Sequence, residues 1–462
     1  MKSFLKKFMS PSMILWTHHF RGWLAATLNG YPGRSKMPLG SMSKGMQIIG
    51  VTGTNGKTTT CHMIAEILER ANYRVGLAST INFKIGNREW KNKTKMTTVS
   101  PFALQKFLKE CLKAGCHFVI IETTSHAIAQ YRNFGIDYEI AVMTNVTHDH
   151  LDYHGTFENY LMTKVKLFDT GRTINIINAD DKSARMLAEL PSKRTITYGV
   201  ENPAAFRNGR RNRPACHASM QGVAGRPEVL GKKILIEANN SLVSLVTPIG
   251  QVAYNLQLPG RFNIYNALAA TAVAVALGIH LDVARQALEG IDVIPGRMEK
   301  VDVGQSFTVL IDYAHTPDAL EKIYQTLEQA KRARIIAVLG ACGDRDRSKR
   351  PIMGALAGHF ADIVIITNED PYTEDPVKIM DEVASGVPRG ATKEHPMTFG
   401  ENFFKIKSRR LAMEKALNLA YKDDIVIITG KGAEECIVVG TEKVPWSDRK
   451  VAKEILLKRV QG

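Results

Sequence analysis

Short apolar runs, each bounded by polar turn residues, recur along the whole chain and are its clearest pattern. Runs of this length are typical of strands that are buried on both faces. They lie at 118–121, 140–143, 174–177, 309–311, 335–339, 363–366 and 425–428. The segments between them space their apolar residues as helices do, as Met63, Ile64, Ile67 and Leu68 show. This alternation predicts an α/β fold with mostly parallel sheets.

Two changes in the pattern predict how the chain is divided. Residues 232–258 become strand-like, with a turn signal at Asn239-Asn240, and predict a small antiparallel appendage. A break at Pro295-Gly296 separates the two sets of apolar runs. We therefore expect a central domain at 47–295 with a mostly parallel sheet, and a Rossmann-like, doubly wound C-terminal domain at 296–462.

Residues 1–46 precede the first predicted strand and form a basic extension. They carry seven Lys or Arg and no Asp or Glu, interleaved with apolar residues such as Phe8, Trp16, Phe20 and Trp23. Such an amphipathic segment fits two arrangements: peripheral contact with an anionic membrane surface, or docking on its own protein. Two histidines and an arginine interrupt its apolar stretch, so we do not expect it to span a bilayer.

Composition narrows the class of protein. The chain has 462 residues, of which 44% are hydrophobic and 23% charged, as expected of a globular protein with two or three domains. Its six cysteines form no Cys-x-x-Cys pair, which argues against a disulfide framework and a zinc ribbon and favours the cytoplasm.

The net charge of +16 raises the alternative of a nucleic-acid-binding ATPase. However, much of the excess lies in the basic extension and in residues 201–227, which we interpret as a solvated surface loop. No aromatic and basic recognition motif accompanies the charge, so we expect no nucleic-acid partner.

The segment Gly50–Thr60 lies between an apolar run and a helical pattern, and this order builds a phosphate cradle. Its backbone N–H groups and helix start attract phosphate, Lys57 can reach the terminal phosphates, and Thr58 can bind magnesium. The glycines at Gly53 and Gly56 depart from the usual spacing of such loops. We expect ATP and Mg²⁺ as cofactors.

Polar groups also follow two predicted strands. Glu122 ends the 118–121 run, where a carboxylate faces the ligand crevice of a parallel sheet and can hold magnesium. The next strand enters residues 144–155, which are rich in His and Asp. Zinc is a poor match, because thiolates and a helical His-Glu pairing are missing. We interpret the segment as part of a magnesium-ATP site, with His150 as the best candidate ligand.

Several motifs together resemble the Mur ligases. They are Gly53–Thr59, Glu122–His126, Asp149–Gly155, Tyr160–Phe168, Gly260–Ala270, Asp312–Asp318 and Gly343–Pro351. They are most similar to the branch that adds the third residue to the peptide of the cell-wall precursor, the UDP-N-acetylmuramoyl-tripeptide synthetases. The resemblance covers residues 47–462 and implies ATP-dependent amide-bond formation in peptidoglycan synthesis.

The resemblance implies a two-step reaction, in which ATP phosphorylates a carboxylate and an amine attacks the acyl phosphate. The implied catalytic residues are Lys57, Glu122, His150 and Lys164. The implied metal ligands are Thr58, Glu122, His150 and, once carbamylated, Lys164. Unmodified Lys164 pairing with phosphate is the alternative. The implied nucleotide contacts are Gly53, Thr54, Asn55, Gly56, Lys57, Thr58, Thr59, Asn263, Asn266, Arg297, Asp312 and His315.

The resemblance also implies where two substrates bind. A muramoyl-L-alanyl-D-glutamate donor would contact Thr97, Thr98, Thr124, Gln130 and Arg132. The incoming amino acid would contact Arg345, Glu369, Asp370, Tyr372, Gly430 and Glu434.

The amino-acid site departs from the diaminopimelate branch, which has Asp-Asn-Pro-Arg where this chain has Glu369-Asp370-Pro371-Tyr372. Losing the arginine removes a clamp for a distal carboxylate, whereas Glu369 and Asp370 suit a distal ammonium. Diaminopimelate and a basic acceptor such as lysine are therefore both open. Ala433 replaces a histidine of the family.

The N-terminal part of the chain also differs from that of the Mur ligases. Mur ligases carry a uridine-diphosphate-binding domain before the glycine loop, and residues 1–46 are too few for one. The donor could be soluble or lipid-linked, and a membrane-borne donor would suit the basic extension.

Folylpolyglutamate synthetases and the ligases of lipid-linked precursor remain alternatives. We expect a monomer in the cytoplasm, with the inner face of the membrane as a second possible location.

Overall fold

Two large sheets organise the chain, as the alternation of apolar runs predicts. The structure is a computed structural model, and it describes residues 10–34, 45–168, 170–200, 226–237, 240–388 and 397–461. The predicted turn residue Asn239 and residues 201–225 of the predicted surface loop lie outside the described residues.

The strands are β1 (Gln47–Thr52), β2 (Val75–Ala78), β3 (Asn82–Ile85), β4 (Arg88–Lys91), β5 (Phe118–Glu122), β6 (Ile140–Met143), β7 (Ile174–Asn178), β8 (Arg194–Val200), β9 (Val229–Ile236), β10 (Ser241–Thr247), β11 (Gly250–Leu256), β12 (Glu299–Lys300), β13 (Thr308–Ile311), β14 (Ile335–Leu339), β15 (Ile363–Thr367), β16 (Phe403–Ile406), β17 (Ile425–Ile428), β18 (Cys436–Val439) and β19 (Glu442–Pro445). The helices are α1 (Pro11–Asn29), α2 (Lys57–Arg70), α3 (Pro101–Lys113), α4 (Ser125–Ala129), α5 (Leu151–His154), α6 (Phe157–Val165), α7 (Ala184–Ala188), α8 (Arg261–Ala276), α9 (Leu281–Glu289), α10 (Pro317–Ala330), α11 (Lys349–Phe360), α12 (Pro376–Ala384), α13 (Arg409–Leu419) and α14 (Asp448–Gln461).

The first sheet has the strand order β11-β10-β9-β8-β7-β6-β1-β5-β2-β3-β4. Its strands from β9 to β2 in this order run parallel and include the three runs predicted in this half. The antiparallel appendage is confirmed as β9, β10 and β11. It extends the main sheet because β8 pairs with β9 in parallel, with Tyr198 opposite Val229. The β3-β4 hairpin at the other edge was not predicted, because its short strands carry charged residues and give a weak pattern.

Both faces of this sheet are buried, which explains the continuous apolar runs. Helices α2, α8 and α9 cover one face, and α3 and α6 contribute to the core on the other.

The second sheet has the order β12-β13-β17-β14-β15-β16 and is parallel except for β12. It contains all four strands predicted in the second half, and helices cover both of its faces. The doubly wound α/β fold is therefore confirmed.

Helix α1 belongs to the basic extension and docks on the protein along one face. Ser10 caps its start with Pro11 in the first turn, and Gly30 ends it in a left-handed conformation. Ala25 and Ala26 are buried, whereas the opposite face is exposed. Among the described residues, no helix is both long enough and apolar enough to cross a membrane.

Candidate active site

A cavity of about 1010 Å³ gathers loops from both sheets. The predicted site residues that line it are Thr54, Asn55, Gly56, Lys57, Thr58, Thr59, Thr97, Glu122, Thr124, Arg132, His150, Asn266, Arg297, Asp312, His315, Arg345, Glu369, Asp370, Tyr372, Gly430 and Glu434. The other predicted residues stand behind this lining and hydrogen-bond to it or to each other: Gly53, Thr98, Gln130, Lys164 and Asn263. The cavity lies where ligands of open α/β sheets bind, outside the carboxyl ends of strands.

The glycine loop follows β1 and opens α2. Gly53 has a φ of +145° and Gly56 a φ of +82°. A Cβ atom at Gly53 would lie 1.9 Å from Thr144 Oγ1, so only glycine fits there. Lys57 Nζ folds back and donates to the carbonyls of Gly53 and Thr54 at 3.1 and 2.8 Å. Burial lowers the pKa of Lys57, so this ammonium would gain from an anionic ligand such as phosphate.

Glu122 ends β5 and organises the centre of the cavity. Its Oε1 accepts hydrogen bonds from the hydroxyls of Thr58 and Thr80, both at 2.9 Å. Its Oε2 accepts from the Thr80 N–H at 2.7 Å. Arg297 reaches across from the second half of the chain and donates to Thr58 Oγ1 at 2.9 Å. The glycine loop, a buried carboxylate and an arginine from the other half are thus directly connected.

The histidine-rich segment places His150 at the cavity beside Asp149. His150 Nε2 lies 3.3 Å from Asp149 Oδ2, and Lys349 Nζ lies 3.9 Å from Asp149 Oδ1. Burial alone would raise the pKa of Asp149, but nearby positive charge, including that of Lys349, outweighs it and holds that pKa well below its usual value. Burial lowers the pKa of His150 to about 2, so its imidazole is neutral and can act as a ligand or acceptor.

Lys164 lies on α6 and is fully buried behind the glycine loop. Its Nζ donates to the Gly53 carbonyl at 2.8 Å and lies 4.4 Å from the centroid of the Tyr160 ring. Burial, together with the positive charge of Lys57, holds the pKa of Lys164 well below its usual value. The structure therefore favours the neutral amine at this position.

The predicted donor contacts form one connected group. Arg132 donates to the Thr98 carbonyl at 2.7 Å and to Gln130 Oε1 at 3.0 and 2.5 Å. Thr98 in turn donates to the Glu122 carbonyl at 2.8 Å and lies 3.4 Å from Thr124 Oγ1. Gln130 and Thr98 thus hold the Arg132 guanidinium in place at the cavity wall.

At the start of α8, Asn266 lines the cavity and Asn263 supports it. Asn266 Nδ2 donates to Asn263 Oδ1 at 3.3 Å. A Cβ atom at Gly56 would lie 2.3 Å from Asn266 Oδ1, so the glycine loop and α8 approach closely. Nearby, the Tyr265 hydroxyl donates to Asp180 Oδ2 at 2.8 Å, and both residues line the cavity.

The second half of the chain contributes polar groups that face the glycine loop. Asn55 Nδ2 donates to Asp318 Oδ2 at 2.7 Å. Asp312 accepts two backbone N–H groups at 2.7 Å, and burial raises its pKa. Burial, with the charge of Lys349, lowers the pKa of His315 to about 4. The hydrogen bond between Asn55 and Asp318 joins the two halves of the chain.

The predicted amino-acid contacts include two carboxylates that are already neutralised. Asp370 accepts from Lys431 Nζ and from Lys95 Nζ, both at 2.8 Å. Glu434 pairs with the same two lysines. Sequence reasoning assigned Asp370 to a substrate ammonium, but its negative charge is met inside the protein by Lys95 and Lys431.

Glu369 is the carboxylate that keeps a free oxygen. Cys342 Sγ donates to its Oε1 at 3.0 Å, whereas its Oε2 is buried with no hydrogen-bond partner in the described structure. Burial raises the pKa of Glu369, and a cationic ligand would offset that cost. Arg345 lies over the ring of Tyr372 at 5.3 Å on the same wall.

Sequence reasoning missed several polar residues of the cavity. Thr80 follows the four-residue strand β2 and carries no charge to mark it. Lys95 lies in an irregular segment, and its partners are 275 and 339 residues away. Lys349 and Asp318 lie inside the family motifs Gly343–Pro351 and Asp312–Asp318, and this position is the signal that marks them in the sequence.

Comparison with known proteins agrees with this geometry. Residues 51–274 match the Mur ligase middle domain, and residues 296–432 match the Mur ligase, glutamate ligase domain. A UDP-N-acetylmuramyl-tripeptide synthetase from Roseiflexus sp. is 38% identical over 94% of this chain and 81% of its own length. A UDP-N-acetylmuramoyl-L-alanyl-D-glutamate--2,6-diaminopimelate ligase from Geobacillus thermodenitrificans is 36% identical over 90% of this chain and 79% of its own.

Solved structures show the same fold. A UDP-N-acetylmuramoyl-L-alanyl-D-glutamate--2,6-diaminopimelate ligase superposes with a TM-score of 0.60 at 28% identity, over 98% of this chain and 84% of that chain. A Mycobacterium tuberculosis folylpolyglutamate synthase gives a TM-score of 0.66 at 17% identity, over 96% of this chain and 94% of that chain, which bears on the fold alone. From the sequence matches across both halves, the chain belongs to the Mur ligase family of ATP-dependent ligases.

Proposed function

We propose that the chain adds an amino acid to a muramoyl-L-alanyl-D-glutamate precursor in peptidoglycan synthesis, through an acyl phosphate made from ATP. One observation carries the proposal. The hydroxyl of Thr58 in the glycine loop contacts Glu122, which ends β5, and also Arg297, which comes from the second half of the chain, each at 2.9 Å. Phosphate-binding, metal-binding and charge-neutralising groups therefore meet in one cavity. The names of the related ligases support the choice of donor.

The residues of this centre fit a magnesium ion bound together with nucleotide. Magnesium takes oxygen ligands and commonly uses one or two carboxylates plus substrate phosphates. The Thr58 hydroxyl and the Glu122 carboxylate offer such oxygens, with His150 on the same cavity. Within the described residues, no group of three or more His, Cys, Asp or Glu could hold a metal alone. When bound, magnesium would neutralise charge on the phosphates.

Lys57 and Lys164 would act on either side of the glycine loop. Lys57 is anchored to two loop carbonyls and can turn to the terminal phosphates. The neutral amine of Lys164 is the form that reacts with carbon dioxide, and a carbamate there would place an anion beside Lys57. Unmodified Lys164 contacting phosphate remains the alternative role.

The donor would lie against Arg132, whose planar guanidinium suits a carboxylate or phosphate. Thr97 and Thr124 line the same wall and offer hydroxyl groups. Holding the donor carboxylate near the terminal phosphate would convert a bimolecular step into an intramolecular one. The groups that join the two halves would also restrict water from the acyl phosphate.

The acceptor would present its amine to the acyl phosphate and its distal end to the Glu369 wall. Because Oε2 of Glu369 has no partner in the described structure, a distal ammonium is the group that would satisfy it. Arg345 is available for the acceptor carboxylate. A basic amino acid such as lysine therefore fits this chain better than diaminopimelate does. We further propose a cytoplasmic monomer, with the domain boundary at Pro295-Gly296.

The test is phosphate release from ATP with a panel of acceptors that includes lysine, ornithine, alanine and diaminopimelate. Each acceptor is combined with soluble UDP-linked muramyl dipeptide, with lipid-linked muramyl dipeptide and with a folate as a control donor. We expect turnover only with a muramyl donor, and the highest kcat/KM with a basic acceptor. Turnover with folate alone, or ATP hydrolysis that depends on nucleic acid, would overturn the proposal.

A further inference from the structure

The outward face of α1 carries a stripe of large apolar side chains, Met13, Trp16, Phe20 and Trp23, called the aromatic stripe below. They recur at steps of three and four residues and share one side of the helix. Their exposed fractions are 54, 66, 41 and 43%. The rings form a row, with centroids 5.4 Å apart between Trp16 and Phe20 and 5.8 Å between Phe20 and Trp23. Contiguous exposed apolar surface of this kind marks an interaction site.

The opposite face of α1 is fixed to the protein, so the helix cannot turn the aromatic stripe inward. Ala25 and Ala26 are fully buried there. A Cβ atom at Gly22 would lie 2.5 Å from the Tyr131 carbonyl oxygen and 2.8 Å from Phe134 Cβ. The backbone of α1 therefore rests directly on the 131–134 loop. None of the described residues covers the stripe, whose side chains stay exposed.

The charges around the aromatic stripe favour an anionic partner. Residues 1–46 contain no acidic residue, and Arg21 and Arg34 are exposed on the described part of this segment. Helix α3, which packs beside α1, exposes Lys106, Lys109 and Lys113. A second copy of this chain, with its formal net charge of +16, would be repelled by such a surface.

We propose that the aromatic stripe is a membrane-docking surface that takes a bilayer containing anionic phospholipid. Tryptophan and phenylalanine rings are favoured at the level of the lipid headgroups, and nearby lysines and arginines bind lipid phosphates. The surface lies beside the donor wall, because α1 packs on the loop that contains Arg132. This inference does not depend on which substrates the ligase uses.

The experiment measures binding of the full-length chain to vesicles of phosphatidylcholine alone and of phosphatidylcholine with phosphatidylglycerol. Sedimentation of vesicles gives affinity, and a blue shift of tryptophan fluorescence reports burial of Trp16 and Trp23. We expect at least about tenfold tighter binding to the anionic vesicles, weakened by salt. The variant Trp16→Ser/Phe20→Ser/Trp23→Ser should lose at least about tenfold of that affinity.

The matched control is Phe399→Ser, because Phe399 is exposed by 66%, as is Trp16, but lies far along the chain in the second half. It should bind vesicles as the unchanged chain does. Should the triple variant fail to fold, the charge reversals Arg21→Glu and Arg34→Glu replace it and should also weaken binding. Equal binding to neutral and anionic vesicles, or full binding by the variants, would overturn the proposal. So would self-association that the triple variant abolishes, because a second copy would then cover the stripe.

Discussion

At the scale of single residues, Glu122 connects the glycine loop to the segment that follows β2. Its Oε1 accepts hydrogen bonds from Thr58 and Thr80, and its Oε2 accepts one from Thr80. We predict that Glu122→Gln lowers the apparent affinity for magnesium at least about tenfold, because the oxygen remains while the charge is lost. Titration of ATP turnover with magnesium checks this, with the exposed Glu442→Gln as the control. An unchanged magnesium dependence would remove Glu122 from the metal site.

His154 offers a test of the electrostatics. Burial lowers the pKa of His154 to about 4 from a usual value of 6.5. Between these values the unfolded chain binds the proton and the folded chain does not, so stability falls as pH drops from 6.5 towards 4. The slope is at most about 1.4 kcal/mol per pH unit, because solvent screens a partly accessible group.

We predict that His154→Gln, which keeps a partner for the Ser125 hydroxyl now 3.0 Å from His154, removes this part of the acid sensitivity. Urea unfolding of both proteins at neutral and mildly acidic pH gives the comparison. Parallel pH profiles for the two proteins would show that His154 has the same pKa in the folded and unfolded states, and would contradict the prediction.

The sequence reveals some of these residues better than others. Glu122 and the glycine loop are predictable, because each directly follows a long apolar run. Thr80 is not, because an uncharged residue after a short strand has no distinguishing pattern. The pairing of Asp370 with Lys431 is not predictable either. The sequence does not distinguish a carboxylate that is paired inside the protein from one that binds a ligand.

At the scale of elements, the segment between β4 and α3 links the two halves of the chain. Lys95 pairs with Asp370 and Glu434, and Lys443 Nζ donates to the Lys93 carbonyl at 3.0 Å. We predict that Lys95→Met lowers the free energy of unfolding by about 2 kcal/mol, because it leaves buried carboxylates with fewer partners. It should also raise the KM for ATP by separating the halves.

The matched control is Lys93→Met, an exposed neighbour that keeps its backbone carbonyl. It should change stability by less than about 0.5 kcal/mol. Urea unfolding and ATP kinetics on both variants decide the matter. If Lys95→Met and Lys93→Met behave alike, the Lys95 pairs do not connect the halves.

The central strands of both sheets could be predicted, because buried parallel strands have one strong and simple pattern. The joining of the antiparallel strands to the main sheet could not, since it rests on the pairing of Tyr198 with Val229 across the undescribed residues 201–225. The sequence pattern also does not predict that α1 packs on the protein through one of its faces. Its sequence is apolar on two sides, and only the structure shows that one side faces the protein.

At the scale of the whole molecule, the site exists only where two halves meet. Arg297 and Thr58 are 239 residues apart in the chain, and Asn55 and Asp318 are 263 apart. The sequence predicts two sheets in this order, but no local pattern predicts how they face each other. The family resemblance supplied the expectation that Arg297 would join the nucleotide site, and the structure brings it to the glycine loop.

The most direct test of the central claim is the ratio of ADP to new amide, measured by mass spectrometry with a muramyl dipeptide and a basic amino acid. We predict one ADP per amide bond, no product without either substrate, and no turnover for Lys57→Ala, because the phosphates lose their positioning cation. The control variant Lys422→Ala, at an exposed lysine, should make amide at the normal rate. ADP release without an amide product, or near-normal amide synthesis by Lys57→Ala, would contradict the claim.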